Sequence, residues 1–394
     1  MRAFYDILRD YTTTVGELKE IDEILVWPLF IQSIFGQQIL NPNWTWKNKT
    51  FKHAFWICLI IYVILGTLDV LKRSADVTAK GEGYYTFVVI LTFVLKYCAF
   101  TKNRIPLQNV YLIAKTTLFE MIKRISLTKS IDMMKKIRIV VKLYLFTIAL
   151  PIVMYIVLAI WSNLHGERVT LSKTTSTLMP MTSPYYEVSF ILHTIFLSYM
   201  SFTICIIDMW FVLVIFFFCV SCECLVISLQ LETKGIYESD LSYALRLNET
   251  LSNFYKCHRD LMMYFNIFSN MYKWPAVIPL FNVLMAFCIL MFIMSEEIHW
   301  NLMANLVPVV VEIFAYNWFG EHLKLKVSEL KTALLEFDWS NMKVADKKNY
   351  IIIVTYMNKE LSIRTALGND LSLDTMTDVL KASYQAFTLL KTMK

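Results

Sequence analysis

The sequence predicts an all-α, polytopic membrane protein with seven transmembrane helices, a cytosolic N-terminus and an extracellular C-terminus. Hydrophobic residues make up 57% of the 394 positions and charged residues only 18%, which is too little polar surface to clothe a soluble globule of that size. Apolar stretches of about 20 residues, the length that crosses about 30 Å of hydrocarbon, recur along the chain. Lys and Arg cluster in alternate connecting segments, the asymmetry that orients membrane proteins.

Residues 1–52 read as a cytosolic N-terminal region. Its opening, MRAFYDILRDYTTTVGELKE, is charged and lacks the apolar core and small-residue cleavage site of a secretory signal. The piece from Ile21 to Leu40 is apolar, but Pro28 and Gly36 break it and Gln32, Gln37 and Gln38 interleave it. It is expected to be a re-entrant or interfacial helix rather than a crossing.

Residues 53–229 hold the first four spans, His53 to Leu71, Tyr84 to Lys102, Val140 to Trp161 and Phe190 to Val220. No Gly or Pro lies between Tyr185 and Lys234. A continuous helix from Phe190 to Leu229 would run about 60 Å, roughly twice the hydrocarbon thickness, and so must project into the cytosol. Gly235 then permits a reversal, and 230–273 reads as a cytosolic helical hairpin. Leu241, Leu245, Leu251, Phe254, His258 and Leu261 recur there at helical spacing. That stripe needs a partner, which is either the rest of the subunit or a neighbouring one.

Spans five and six occupy 274–325, as Trp274 to Met294 and Leu302 to Leu323. Residues 326–370 are expected to form cytosolic anchor helices: Tyr350 to Leu361 is too short to cross, Gly368 and Asn369 break the helix, and Asp370 or Ser372 can cap the next one. The last segment, 371–394, is long enough to cross but carries Asp374, Asp378, Lys381, Ser383 and Gln385. One face of it must meet water or protein. Either it lines a pore shared between subunits, or it is buried inside a single-chain bundle.

The basic residues fix the orientation. The arm to Lys52, the loop Lys102 to Arg138 and the segments Lys234 to Lys273 and Lys324 to Lys348 hold 26 Lys and Arg and the alternate loops hold 5, a positive-inside bias that places the N-terminus in the cytosol and, after seven crossings, the C-terminus outside. The net charge of +6 is therefore a topology signal and not a nucleic-acid patch.

Single residues add weaker signals. The eight cysteines lie in apolar stretches or on the cytosolic side, so no structural disulfide is expected. Cys219, Cys222 and Cys224 lack a second Cys or His pair to complete a metal site. Lys96 is expected to snorkel as an anchor. Glu312, near the middle of the sixth span, is either a conduction or gating charge or a buried hydrogen-bonding group. No catalytic arrangement or phosphate loop is present, so neither an enzyme nor a cofactor is expected. The sequons at Asn43, Asn48 and Asn248 fall on the cytosolic side, where they stay unmodified.

After the sixth span come Tyr316-Asn317-Trp318-Phe319-Gly320-Glu321, then Ser328, then Leu335-Glu336-Phe337-Asp338-Trp339. The chain ends with Leu371-Ser372-Leu373-Asp374-Thr375-Met376 and with Leu380-Lys381-Ala382-Ser383-Tyr384-Gln385-Ala386-Phe387. These runs resemble the insect odorant receptor family, with its Gly-Glu, Ser and Trp signature after the sixth span and its terminal Leu-Ser-Leu-x-Thr-Phe and Ser-Tyr-Ser-x-Phe. Val26-Trp27-Pro28-Leu29 is similar to that family's Gly-Leu-Trp-Pro. Met376 stands for the usual Phe, Gln385 for the second Ser, and the Gly before Trp27 is absent. The sister gustatory pattern, a Thr-Tyr pair and a Gln-Phe, is missing, as is the long cytosolic insertion of the obligate co-receptor.

The resemblance implies a ligand-tuned subunit of an odorant-gated, non-selective cation channel, assembled with the co-receptor as a hetero-oligomer, a tetramer, in the plasma membrane of olfactory sensory neuron dendrites. It implies that the last helix lines the conduit through Ala382, Gln385, Ala386, Leu389 and Met393, with Leu389 as the hydrophobic gate. It also implies a pocket for a small volatile organic ligand in the outer half of the second, third, fourth and sixth spans. There the sequence supplies Phe87, Val88, Leu91, Tyr155, Ala159, Phe196, Tyr199, Met200, Thr203, Val311 and Phe314, aromatic and apolar with few hydrogen-bonding groups, as such a pocket requires. A gustatory-type or G-protein-coupled seven-helix receptor is the alternative. Against the latter stand the charge bias and the lack of a cysteine in the loop Ser162 to Ser189. A secondary transporter would show inverted repeats and broken central helices, and neither is seen.

Overall fold

A computed structural model describes residues 22, 26–35, 37, 50–166, 168, 178–230, 235–295, 300–358 and 361–392. Among these, every regular element is helical. Helix α1 spans Val26–Ile34, α2 Thr50–Arg73 and α3 Val77–Lys102. Asp76 starts α3, its carboxylate accepting from the Thr78 N–H at 2.9 Å, which satisfies one of the free donors of the first turn. Sequons Asn43 and Asn48 lie outside the described residues.

The next stretch departs from the sequence reading, which treats Lys102 to Arg138 as a basic loop. It is helical apart from Asn103 and Ser126: α4 Arg104–Ile113, a π-helical turn Ala114–Leu118, α5 Phe119–Ile125, and then the first turns of α6 Leu127–Leu164. Leu107, Val110, Tyr111, Ala114, Leu118, Met121 and Ile122 are buried. Their spacing of three and four is that of a one-sided apolar face, so charge density conceals an amphipathic element. Ser126 caps α6, accepting from the Lys129 N–H at 3.3 Å.

Helix α7, Tyr185–Gln230, is the axis of the molecule. Its 46 residues make it about 69 Å long at 1.5 Å per residue, and it touches α3, α6, α8 and α10. Apolar on nearly every face, it has no amphipathic direction and is buried all round over its second half, as the rule for such helices demands. α8, Asp240–Tyr272, returns against that half. Leu247, Leu251, Phe254, His258 and Leu261 are buried, whereas Leu241 and Leu245 are exposed. The expected stripe is thus mostly satisfied within the subunit.

α9 spans Val277–Met294, α10 Trp300–Leu335, α11 Val344–Met357 and α12 Leu373–Thr392. Among the described residues, α2, α3, α6, α7 and α9 are long and apolar enough to cross a membrane. The eight cysteines are free. Before α12 the chain makes a tight turn: Gly368 has φ +89°, a conformation that favours glycine, and Leu371 N–H donates to Ile363 O at 3.0 Å. Ser372, not Asp370, caps α12, accepting from the Thr375 N–H at 3.2 Å. Asp370 instead meets Lys324 at 3.0 Å and Arg364 at 3.2 Å.

α12 is amphipathic in an unusual sense. Met376, Val379, Leu380, Ser383 and Phe387 face α9 and α10. Asp374, Asp378, Ala382, Gln385 and Leu389, three or four residues apart on the other side, are exposed.

Candidate ligand cavity

A cavity of about 160 Å³ lies among α3, α6, α7 and α10, with α9 closing its deep end. Eight residues of α7, from His193 to Asp208, face it, about two per turn over about 22 Å of helix. The middle is apolar, from Val89, Ile90, Ile148, Phe196, Met200 and Val309. Polar groups gather toward its ends. On one side Asn305 Nδ2 donates to the Tyr155 hydroxyl at 2.7 Å.

The deep end carries a charge network the sequence reading does not assemble. Lys96 Nζ lies 2.6 and 2.8 Å from the two carboxylate oxygens of Asp208 and 2.5 Å from Glu312 Oε1. Tyr316 donates to Asp208 Oδ1 at 2.9 Å, Asn282 Nδ2 to Glu312 Oε2 at 3.0 Å, and Thr92 to Asn282 Oδ1 at 3.1 Å. Four helices are thereby tied together, and Asp208, Asn282 and Glu312 also line the cavity. Lys96 does not snorkel, as the sequence reading has it: its side chain is 2% exposed. A cation so deep in an apolar bundle persists because carboxylates pair it and use its donors. Asp208 is the residue missed, and its signal was present. Three opposite charges in spans two, four and six invite pairing, since none tolerates isolation there.

Four of the pocket residues named from the resemblance, Tyr155, Phe196, Met200 and Val311, come together on the cavity wall. The others lie elsewhere. Tyr199 stacks on Trp56 with ring centroids 3.9 Å apart, and Gln37 donates to Thr203 at 2.9 Å, so both secure α7 to the segment after α1 and to α2. Val88 packs with Leu280, Val283 and Val309, and Ala159 is buried apart from the cavity lining. Leu91 is half-buried. Phe87 and Phe314 turn outward, 44% and 48% exposed. Of the conduit residues, Ala382, Gln385 and Leu389 are exposed on α12, Ala386 is half-buried, and Met393 lies outside the described residues.

These features define a helical membrane protein with an elongated internal cavity between its apolar helices. The chain belongs to the insect odorant receptor family: the 7tm Odorant receptor family matches residues 76–384. Its fold is similar to that of the insect olfactory receptor OR5 from Machilis hrabei, at a TM-score of 0.74, 13% identity, 95% coverage of this chain and 100% of that one. The same receptor in complex with eugenol matches at a TM-score of 0.73, with the same identity and coverage. No curated protein matches the chain.

Proposed function

We propose that this chain is a ligand-tuned subunit of an odorant-gated, non-selective cation channel. It crosses the membrane seven times, through α2, α3, α6, α7, α9, α10 and α12, with its N-terminus cytosolic and its C-terminus outside. The observation that carries the reading is the cavity at the α3, α6, α7 and α10 contact. The positive-inside bias puts it in the outer half of the bundle, where a volatile compound enters from outside.

In this reading α12 is the pore wall and Leu389 the apolar constriction, one that closes by dewetting. Support comes from the polar stripe of α12, which is exposed in the single subunit and would cost too much against lipid. Ile351, Ile352 and Tyr356 of α11 are likewise exposed, which suits an anchor packed against neighbouring subunits. The co-receptor supplies the remaining subunits of a tetramer, in the plasma membrane of olfactory sensory neurons. A ligand of about ten heavy atoms supplies several kcal/mol at most, and only its difference in affinity between closed and open states moves the pore.

The test is electrical. Cells expressing the chain with the co-receptor are expected to pass cation current when exposed to a broad odorant panel, and cells expressing it alone are not. A surface-expressed complex silent across the panel overturns the reading.

A further inference from the structure

We propose that the cavity selects ligands bearing a protonated amine, whose ammonium group seats against Glu312 and Asp208 at the deep end; this rests on the ligand-pocket reading above. Acceptors outnumber donors at this end. Two carboxylates offer about eight acceptor positions. Lys96 Nζ fills three, Tyr316 one and Asn282 one, so acceptor capacity is left over beside the cavity. One ammonium serves two carboxyl groups and no Lys or Arg is among the lining residues, so a second cation can be paired here.

Donors, by contrast, are scarce at this end. Lys96 has spent its three N–H bonds on the carboxylates. A ketone, ester or ether, which can only accept, finds one unpaired hydroxyl there, that of Tyr144, and leaves the spare carboxylate acceptors unmet. An ammonium brings three N–H donors and a charge that the carboxyl groups can pair. The Tyr144 hydroxyl is an independent sign of a guest at this end. It is buried without a hydrogen-bond partner, on a residue that lines the cavity beside Cys205 and Asp208, and an unpaired buried hydroxyl is costly unless something meets it. Its oxygen can accept one N–H of the guest. The apolar middle, from Val89 to Met200, takes a slender alkyl or aryl-alkyl tail. Desolvating an ammonium is expensive unless it is paired, and the two carboxylates provide the pairing.

The experiment compares 1-hexylamine, 1-hexanol and 2-heptanone, close in size but different in head group. Binding to the purified full chain in lipid nanodiscs is followed by thermal shift titration, and current is recorded from the chain with its co-receptor. The expected result is that hexylamine binds at least about tenfold more tightly than the other two, and that Glu312→Gln brings the ratio toward one. If Glu312→Gln does not reach the surface, the wild-type ratio and Asp208→Asn decide the question. Hexanol or heptanone binding as well as hexylamine, or no binding by any of the three, overturns the proposal. Amine binding without current from any compound overturns the channel reading and leaves this one standing. Current from neutral odorants with a weaker response to amine does the reverse.

Discussion

Lys96 on α3 and Asp208 on α7 form a two-pronged ion pair, 2.6 and 2.8 Å long, between side chains that are both nearly inaccessible. Removing the cation leaves Asp208 and Glu312 adjacent, buried and uncompensated. Lys96→Met is therefore expected to cost about 3–5 kcal/mol, the usual penalty for breaking a buried pair from one side. Thermal unfolding in detergent and surface labelling should both fall. Asp208→Asn, which leaves Lys96 with Glu312, should cost less. Equal stability of wild type and Lys96→Met would show that the network does not hold the bundle together.

Gly320 is a second point of contact that a side chain cannot share. A Cβ there would lie 2.4 Å from the Leu371 carbonyl oxygen and 2.7 Å from the Leu371 Cβ, and backbone cannot rotate away as a flexible side chain can. Gly320→Ala is expected to push the start of α12 off α10, at about 1–3 kcal/mol. Lower thermal stability, with agonist currents reduced more than expression, is the predicted signature.

The two tyrosines named from the resemblance should separate. Tyr155 lines the cavity and accepts from Asn305, so Tyr155→Phe is expected to shift agonist EC50 about two- to tenfold, one hydrogen bond's worth, without loss of surface protein. Tyr199 is packed on Trp56 and Phe93 away from the cavity lining. Tyr199→Ala should lose about 3–5 kcal/mol of folding stability, seen as poor trafficking rather than altered ligand preference. Dose-response curves normalised to surface labelling distinguish the two.

Leu389 points away from its own subunit, 61% exposed. If four copies close the conduit by excluding water, Leu389→Gln hydrates the constriction. A raised ligand-independent current at unchanged expression is expected; an unaltered baseline would place the constriction at another turn of α12.

His258 on α8 lies against Phe254 and Tyr356, and burial lowers its pKa from 6.5 to about 4. The unfolded chain therefore binds the proton more readily. Its contribution to stability is complete above pH 6.5 and is lost as pH falls toward 4, about 2 kcal/mol of it by pH 5. The purified protein should melt lower at pH 5 than at pH 7, and His258→Leu should flatten that difference.

Much of the molecule can be read from its one-dimensional pattern. Apolar length and the absence of Gly and Pro predict an α7 that outruns the bilayer, and it runs unbroken from Tyr185 to Gln230. The polar residues of the last segment predict a helix with one face withheld from lipid, and Asp374, Asp378 and Gln385 fall on one exposed side of α12. The basic stretch from Lys102 to Arg138 hides an amphipathic helix because its charges dominate the composition, while the buried face needs only seven residues at the right spacing.

What the sequence by itself determined is which segments are apolar, how long they are and which way the charges bias them, because these are sums along the chain. Only the tertiary structure decided which face of each helix meets which neighbour. Rotating a helix by half a turn changes no hydropathy sum, yet it separates Tyr155, which lines the cavity, from Phe314, which turns outward. The same packing brings Lys96, Asp208 and Glu312, more than a hundred residues apart from one to the next, within hydrogen-bonding distance. In a bundle where lipid and protein interior are equally apolar, close packing and the pairing of buried charge select that arrangement.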